Sequence, residues 1–149
     1  MSRWVPLLAI VVVLLGCAPS TADFFDKLDA KRLEVSAVLI SPDAPTRAGT
    51  ITNLGIRQQA LWEYVHWLER AEAPTPELAV LIKTLADNAA AQATGIHGVR
   101  IALANGWDDK VYAVEGLLRE AELANVHLVN YEIQLRLKLG VPIPMLPDA

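Results

Sequence analysis

YEIQLRLKL, Tyr131 to Leu139, is the stretch on which the fold turns. Apolar and polar residues alternate through it, the pattern of a half-buried strand. LEVSAVLI, Leu33 to Ile40, alternates nearly as well, so the two stretches could pair as a short β ribbon beside a helical hairpin. Composition points the other way. Leu, Glu, Gln, Arg and Lys prefer helix, and neither proline nor a turn cluster interrupts Lys110 to Leu139. Read as helix, the segment carries Val111, Val114, Leu118, Ala121, Leu128 and Leu135 on one side. Val126, Val129, Ile133 and Leu137 form a second stripe nearly opposite. A helix apolar on two sides needs two neighbours, so the first segment or a partner must cover the second stripe.

Working outward, Gly140 and Pro142 end this helix, and Val141–Pro147 is apolar and proline-rich. That tail (141–149) either docks back on the bundle or is a peptide recognised by another protein. Upstream, Asn105-Gly106 supplies a left-handed C-cap and Asp108 an N-cap, with Trp107 and Tyr112 spaced to close a hydrophobic staple. So tight a connection implies an antiparallel helical hairpin. The preceding helix opens with Thr75 as N-cap, Pro76 at the first position and Glu77 in the first turn. Its seam runs Leu78, Ile82, Leu85, Ala89, Gln92, Ile96, Val99 and Leu103. Small residues from Ala89 to Gly95 permit a neighbouring helix to approach closely. Before the Ala73–Pro76 break, Thr50 to Glu72 shows a further stripe of Ile51, Leu54, Gln58, Leu61, Val65 and Leu68. A third break lies at Ser41–Pro45. The expected fold is all-α, an antiparallel bundle of three to four helices over 23–140. The alternative is the hairpin with a ribbon from 33–40 and 131–139.

The beginning of the chain reads differently. Arg3 precedes an apolar run from Val5 to Leu15, the layout of a secretory signal and shorter than the roughly 20 residues a spanning helix needs. Leu14-Leu15-Gly16-Cys17 resembles the lipobox of bacterial lipoproteins. The resemblance covers the first seventeen residues and implies cleavage after residue 16, a lipidated tether over 17–22 and acylation of Cys17. Two or three acyl chains, at about 0.8 kcal/mol per buried methylene, hold a protein on a membrane where one would not. With Ala18 rather than Asp after the cysteine, the resemblance implies the periplasmic face of an outer membrane, or the cell membrane in a host that has only one. Ala121 to Pro144 is also similar in helical style to the long helices of outer-membrane efflux proteins, a likeness without functional content.

Composition narrows the function classes. The 149 residues carry a net charge of -4 without long charged runs, so neither a nucleic-acid footprint nor an electrostatic clamp for anionic lipid is written here. One cysteine permits no internal disulfide and no zinc-type spacing. His66, His97 and His127 fall on three different segments; in a bundle they could converge as metal ligands, yet no two stand at i, i+4. The glutamates include one Glu-x-x-His, Glu63 to His66, where a di-iron bundle needs two, so that arrangement is not supported. With no Gly-x-Ser-x-Gly, Ser-x-x-Lys or phosphate loop either, no catalytic residue, metal or cofactor is assigned. Pairs at spacing four, Glu115 with Arg119 and Glu132 with Arg136, support the last helix. Asn125 and Glu132 fall on its seam, either buried to fix register or at its wet margin. In WEYVHW (Trp62–Trp67), Trp62 borders the stripe while His66 and Trp67 point off it. Trp67 is either a binding anchor or packs under the first segment or the tail.

The expected function is therefore non-enzymatic: an anchored interaction or assembly module of an envelope complex. Partner contact is expected at Trp62, His66 and Trp67, and at Val126, Val129, Ile133 and Leu137. A ligand or metal carrier with a site in the bundle is the second expectation.

Overall fold

Three of the helix starts are fixed by the residue in front of them. The computed structural model describes residues 20–144, which form α1 (Thr21–Leu39), α2 (Arg47–Arg70), α3 (Pro76–Asn105) and α4 (Asp108–Leu139). Ser20, Thr46 and Thr75 each turn a side-chain oxygen onto the backbone N–H three residues on, at 3.0, 3.1 and 3.3 Å. Each satisfies one of the donors that a helix start leaves free. Gly106 and Gly140 end α3 and α4 in the left-handed region (φ 72° and 68°), which only glycine adopts without cost. The following N–H groups, of Trp107 and Val141, close back onto Ala102 and Arg136 carbonyls at 2.9 Å. Cys17 and the lipobox lie outside the described residues, as does 145–149.

The fold is all-α, and among the described residues no strand forms. Both alternating stretches are helical, so the ribbon alternative is not adopted. The physical reason lies in what the core accepts. Glu132, Leu135 and Arg136 face inward while Tyr131 and Leu137 face out, so alternation in the sequence does not correspond to two faces. Three local expectations are also corrected. Trp107, not Asp108, occupies the N-cap of α4 and makes no side-chain cap; the Asp108 carboxylate instead meets Arg47 at 2.9 Å. The staple stays open, because Tyr112 is 78 % exposed and Trp107 lies under Lys110 Nζ, 4.3 Å from its ring. Among the described residues Glu115 and Arg119 form no ion pair, whereas Glu132 and Arg136 do.

Neighbouring helices run antiparallel. The α3/α4 seam shows it: Gly98 sits opposite Val114, Gly95 opposite Leu118, Asn88 Nδ2 donates to Ala121 O at 2.9 Å, and Glu77 meets Lys138 at 3.2 Å. A Cβ on Gly95 would come within 2.5 Å of Leu118 Cδ2, so the absent side chain sets the closeness of this pair. The core lies where all four helices overlap, among Phe25, Leu28, Leu61, Leu68, Leu78, Leu81, Leu85, Leu128 and Leu135. Each such side chain contributes about 1.5–3 kcal/mol by leaving water. The inward face of α3 is broader than its predicted seam and adds Leu81, Ala86, Ala93 and Ala102, because α2 and α4 flank it on both sides.

The shorter α1 reaches only part of the bundle. Where it stops, the segment Ser41–Thr46 turns back along α2: Arg57 donates to Ser41 O and to Asp43, and Asn53 Nδ2 donates to Pro42 O at 3.1 Å. Beyond this point Arg47 fastens α2 to α3 through Leu103 O. That end holds less core, and Ile56, Ile101, Trp107 and Leu117 are exposed on it. At the other end the tail turns back, with Val141 packed on the core and Pro142 O accepting from Arg136 Nη1 at 3.2 Å.

Candidate functional site

The α1/α4 seam is closed by charge. Arg136 is 2 % exposed and Glu132 5 %, the two buried charged side chains among the described residues. Arg136 Nε donates to Glu132 Oε1 at 2.9 Å, Nη2 reaches Asp29 Oδ1 at 2.5 Å, and the guanidinium plane lies 4.1 Å over the Phe25 ring. Glu132 Oε2 lies 2.5 Å from Arg32 Nη1. Arg32 Nε in turn donates to the Tyr64 hydroxyl at 3.3 Å. Two cations face two anions, so the cluster is neutral and its charges are mutually compensated.

Protonation follows this arrangement. Burial works against the charge on Arg32, but the neighbouring Tyr64 and Glu132 outweigh it and raise its pKa above the ordinary value. Burial likewise pushes the Tyr64 phenol up, with Glu132 and Asp29 reinforcing and Arg32 opposing. At neutral pH Arg32 is a firm cation and Tyr64 a neutral phenol.

Above this node, between α1 and α4, opens a cleft of about 270 Å³. Its walls are apolar (Val35, Leu39, Leu61, Leu85, Val129), with Arg32, Tyr64, Asn88, Gln92 and Asn125 as polar groups. Asn88 and Gln92 are partly engaged with each other, Gln92 Nε2 donating to Asn88 Oδ1 at 2.7 Å. The cleft can hold a small, mainly apolar molecule with a hydrogen-bonding end. A second, more apolar groove of about 570 Å³ runs between α3 and α4, lined by Val80, Thr84, Leu128, Tyr131 and His127.

The residues singled out in the sequence fall into separate places. Val126, Val129 and Leu137 are 58, 43 and 60 % exposed and Ile133 is half-buried; Val126 and Leu137 lie on the outer side of α4, whereas Val129 is on the wall of the α1/α4 cleft. On α2, Trp62 and His66 are exposed and face each other at 6.5 Å. Trp67 is half-buried, stacks on Tyr64 at 6.2 Å and lines a cleft with Phe24 and Lys27, so its indole packs against α1. Of the two seam polars on α4, Glu132 is buried and Asn125 is exposed. His66 meets Glu69 at 3.2 Å and His97 lies 3.5 Å from Arg100, while His127 is in the α3/α4 groove. Among the described residues no three His, Cys, Asp or Glu side chains gather as a metal site. Asp29, Arg32 and Tyr64 were not legible as site residues; the one signal was Arg136, a charged residue next to seam positions Leu135 and Glu132.

Scans against protein-family models, curated proteins and solved structures return no significant match for this chain.

Proposed function

We propose that the protein is a membrane-anchored periplasmic lipoprotein that works as a non-enzymatic interaction or assembly module of a cell-envelope complex. In this reading residues 1–16 are a cleaved signal, Cys17 carries the acyl chains and 17–22 is the tether, with α1 beginning at Thr21. The localisation proposed is the periplasmic face of the outer membrane. The observation that carries the module reading is the outer stripe of α4. Val126 and Leu137 remain in water although the bundle already has a filled core. Contiguous apolar residues left outside a complete core mark a contact surface. Among the described residues no helix is long and apolar enough to cross a membrane.

Two measurements test it. Mass spectrometry of the mature protein from a bacterial host should find an acylated N-terminal Cys17; an intact Met1 without lipid refutes the anchor. A photo-crosslinking residue at Leu137 should give a defined adduct in the envelope that Val126→Glu removes. Absence of any adduct refutes the module.

The cleft lined by Arg32 and Tyr64 favours a second reading, a carrier of a small amphipathic molecule. Its test is a thermal-shift screen with medium-chain carboxylic acids and alcohols. A shift abolished by Val35→Trp, which fills the cleft, supports it.

A further inference from the structure

The exposed face of α4 has a finer pattern than an apolar stripe. Leu123, Val126, Asn130, Ile133 and Leu137 follow one another at steps of three, four, three and four. This is the a–d repeat of a coiled-coil seam, with Leu123, Asn130 and Leu137 at a and Val126 and Ile133 at d. The residues α4 turns to its own bundle, Ala121, Leu128 and Leu135, recur every seven at f, on the opposite side. Leu123, Val126 and Leu137 are each more than half exposed. The helix therefore carries two seams, and the bundle uses one.

We propose that the second seam takes another copy of this chain, α4 against α4 in parallel, about a two-fold axis along the helices. This rests on the reading of the stripe as a contact surface and names its occupant. Asn130 is the first support. A lone Asn at an a position is costly against an apolar partner but pairs with its own symmetry mate, which selects a two-stranded parallel register. An antiparallel arrangement would set Asn130 against Val126 or Ile133 instead. One flanking pair agrees: Glu122 at g faces His127 at e of the other copy, a carboxylate and an imidazole that can hydrogen-bond, while Val129 faces Gln134 and Arg136 at the last g is committed to its own bundle. Further up α4 the pattern fails, with Gly116 at a, Arg119 at d, and Glu115 facing Glu120 of the other copy. The seam thus has a defined end at Leu123.

The chain outside the structure supplies the third support. Residues 1–19 lead into α1, whose start lies at the same end of the bundle as the C-terminal end of α4, as the Asp29–Arg136 contact shows. A parallel pair sends both leaders out at one end, where one membrane can receive both. An antiparallel pair centred on Asn130 would send them out at opposite ends, about 27 Å apart at 1.5 Å per residue. No helix has to be nucleated for this contact, since α4 is already held by α3, so a seam this short suffices.

Disulfide trapping in the membranes of producing cells tests it on the full chain, in which Cys17 is the only native cysteine. Leu123→Cys, Asn130→Cys and Leu137→Cys, made singly and oxidised mildly, should each give a homodimer band above the native-chain background. Leu117→Cys, exposed but off the seam, should give none. Adding Ile133→Glu to Asn130→Cys should abolish the band, with the helical circular-dichroism spectrum unchanged. A band from only one of the three positions overturns the parallel pair. No band at any position overturns the second copy altogether. In that case a photo-crosslinking residue at Val126 separates the two failures. An adduct with a different protein leaves the contact-surface reading standing, and no adduct removes it as well.

Discussion

Replacing Arg136 with Met should be among the most damaging single changes this bundle can suffer. The guanidinium holds four partners at once: Asp29 Oδ1 (2.5 Å), Glu132 Oε1 (2.8 Å), the Pro142 carbonyl (3.2 Å) and the face of Phe25 (4.1 Å). Met keeps most of the volume and none of the charge. Asp29, with a side chain 30 % exposed, rehydrates, but the Glu132 side chain is 6 % exposed and cannot. Glu132 would keep only Arg32, and only through Oε2. Breaking a buried ion pair from one side costs about 3–5 kcal/mol, because a charge is left buried without its partner. The terms overlap, so about 4 kcal/mol is expected for the whole substitution. The companion Glu132→Leu/Arg136→Met removes both buried charges together. It leaves Arg32 and Asp29, each about a third exposed, to water, and should cost less than Arg136→Met alone. Urea denaturation of the chain beginning at Ala18, followed by circular dichroism at 222 nm, gives both numbers. A loss below about 1 kcal/mol for the single variant, the range of exposed ion pairs, would refute the claim that this node closes α1 onto α4. So would a double variant that loses as much as Arg136→Met alone or more.

Other outcomes follow from the same packing. Gly116 has nothing within 4 Å of where a Cβ would lie, so Gly116→Ala should raise stability by about 0.5–1 kcal/mol in the same urea experiment. Gly95→Val drives its side chain into Leu118 and should lower stability by about 1–3 kcal/mol, measured alongside it. Thr75→Ala removes the cap of α3 and should cost about 1 kcal/mol, with amide exchange accelerating at Leu78 first. Tyr64 gives a pH signature. Its folded-state pKa is raised, so the stability it reflects is fully present below about pH 10 and is lost as pH climbs through the folded value. Absorbance titration at 295 nm should show a tyrosine ionising late that Tyr64→Phe removes. Glu77 works in the opposite direction. Its pKa is lowered, first by its own backbone N–H at the helix start and then by Lys138, so its contribution is present above the ordinary carboxylate range and fades as pH falls below it. A carboxyl NMR titration should find it ionising early, and Lys138→Met should move it back towards the ordinary value.

Three helix ends could be read from local residues, while the start of α4 and the helical state of 33–40 and 131–139 could not. Thr75 with Pro76, Asn105 with Gly106, and Gly140 before Pro142 act within one turn, so their meaning needs no knowledge of what lies across the bundle. Helix periodicity likewise marks Leu78, Ile82, Leu85, Leu128 and Leu135 as core, because a helix shows one face wherever it packs. The second stripe on α4 was legible for the same reason. What the tertiary structure alone decided is which partner each face receives. Tyr131–Leu139 alternates as a strand does, and only the inward turn of Glu132 and Arg136 onto Asp29 and Arg32 accounts for polar residues in its core side. Those contacts join residues about a hundred positions apart, and their attraction exists only after folding has excluded water from the seam, where local pattern carries no trace of it. The staple at Trp107 and Tyr112 shows the converse. Its spacing was correct, but at the sparsely packed end of the bundle Lys110 and Arg47 gave Trp107 and Asp108 other partners.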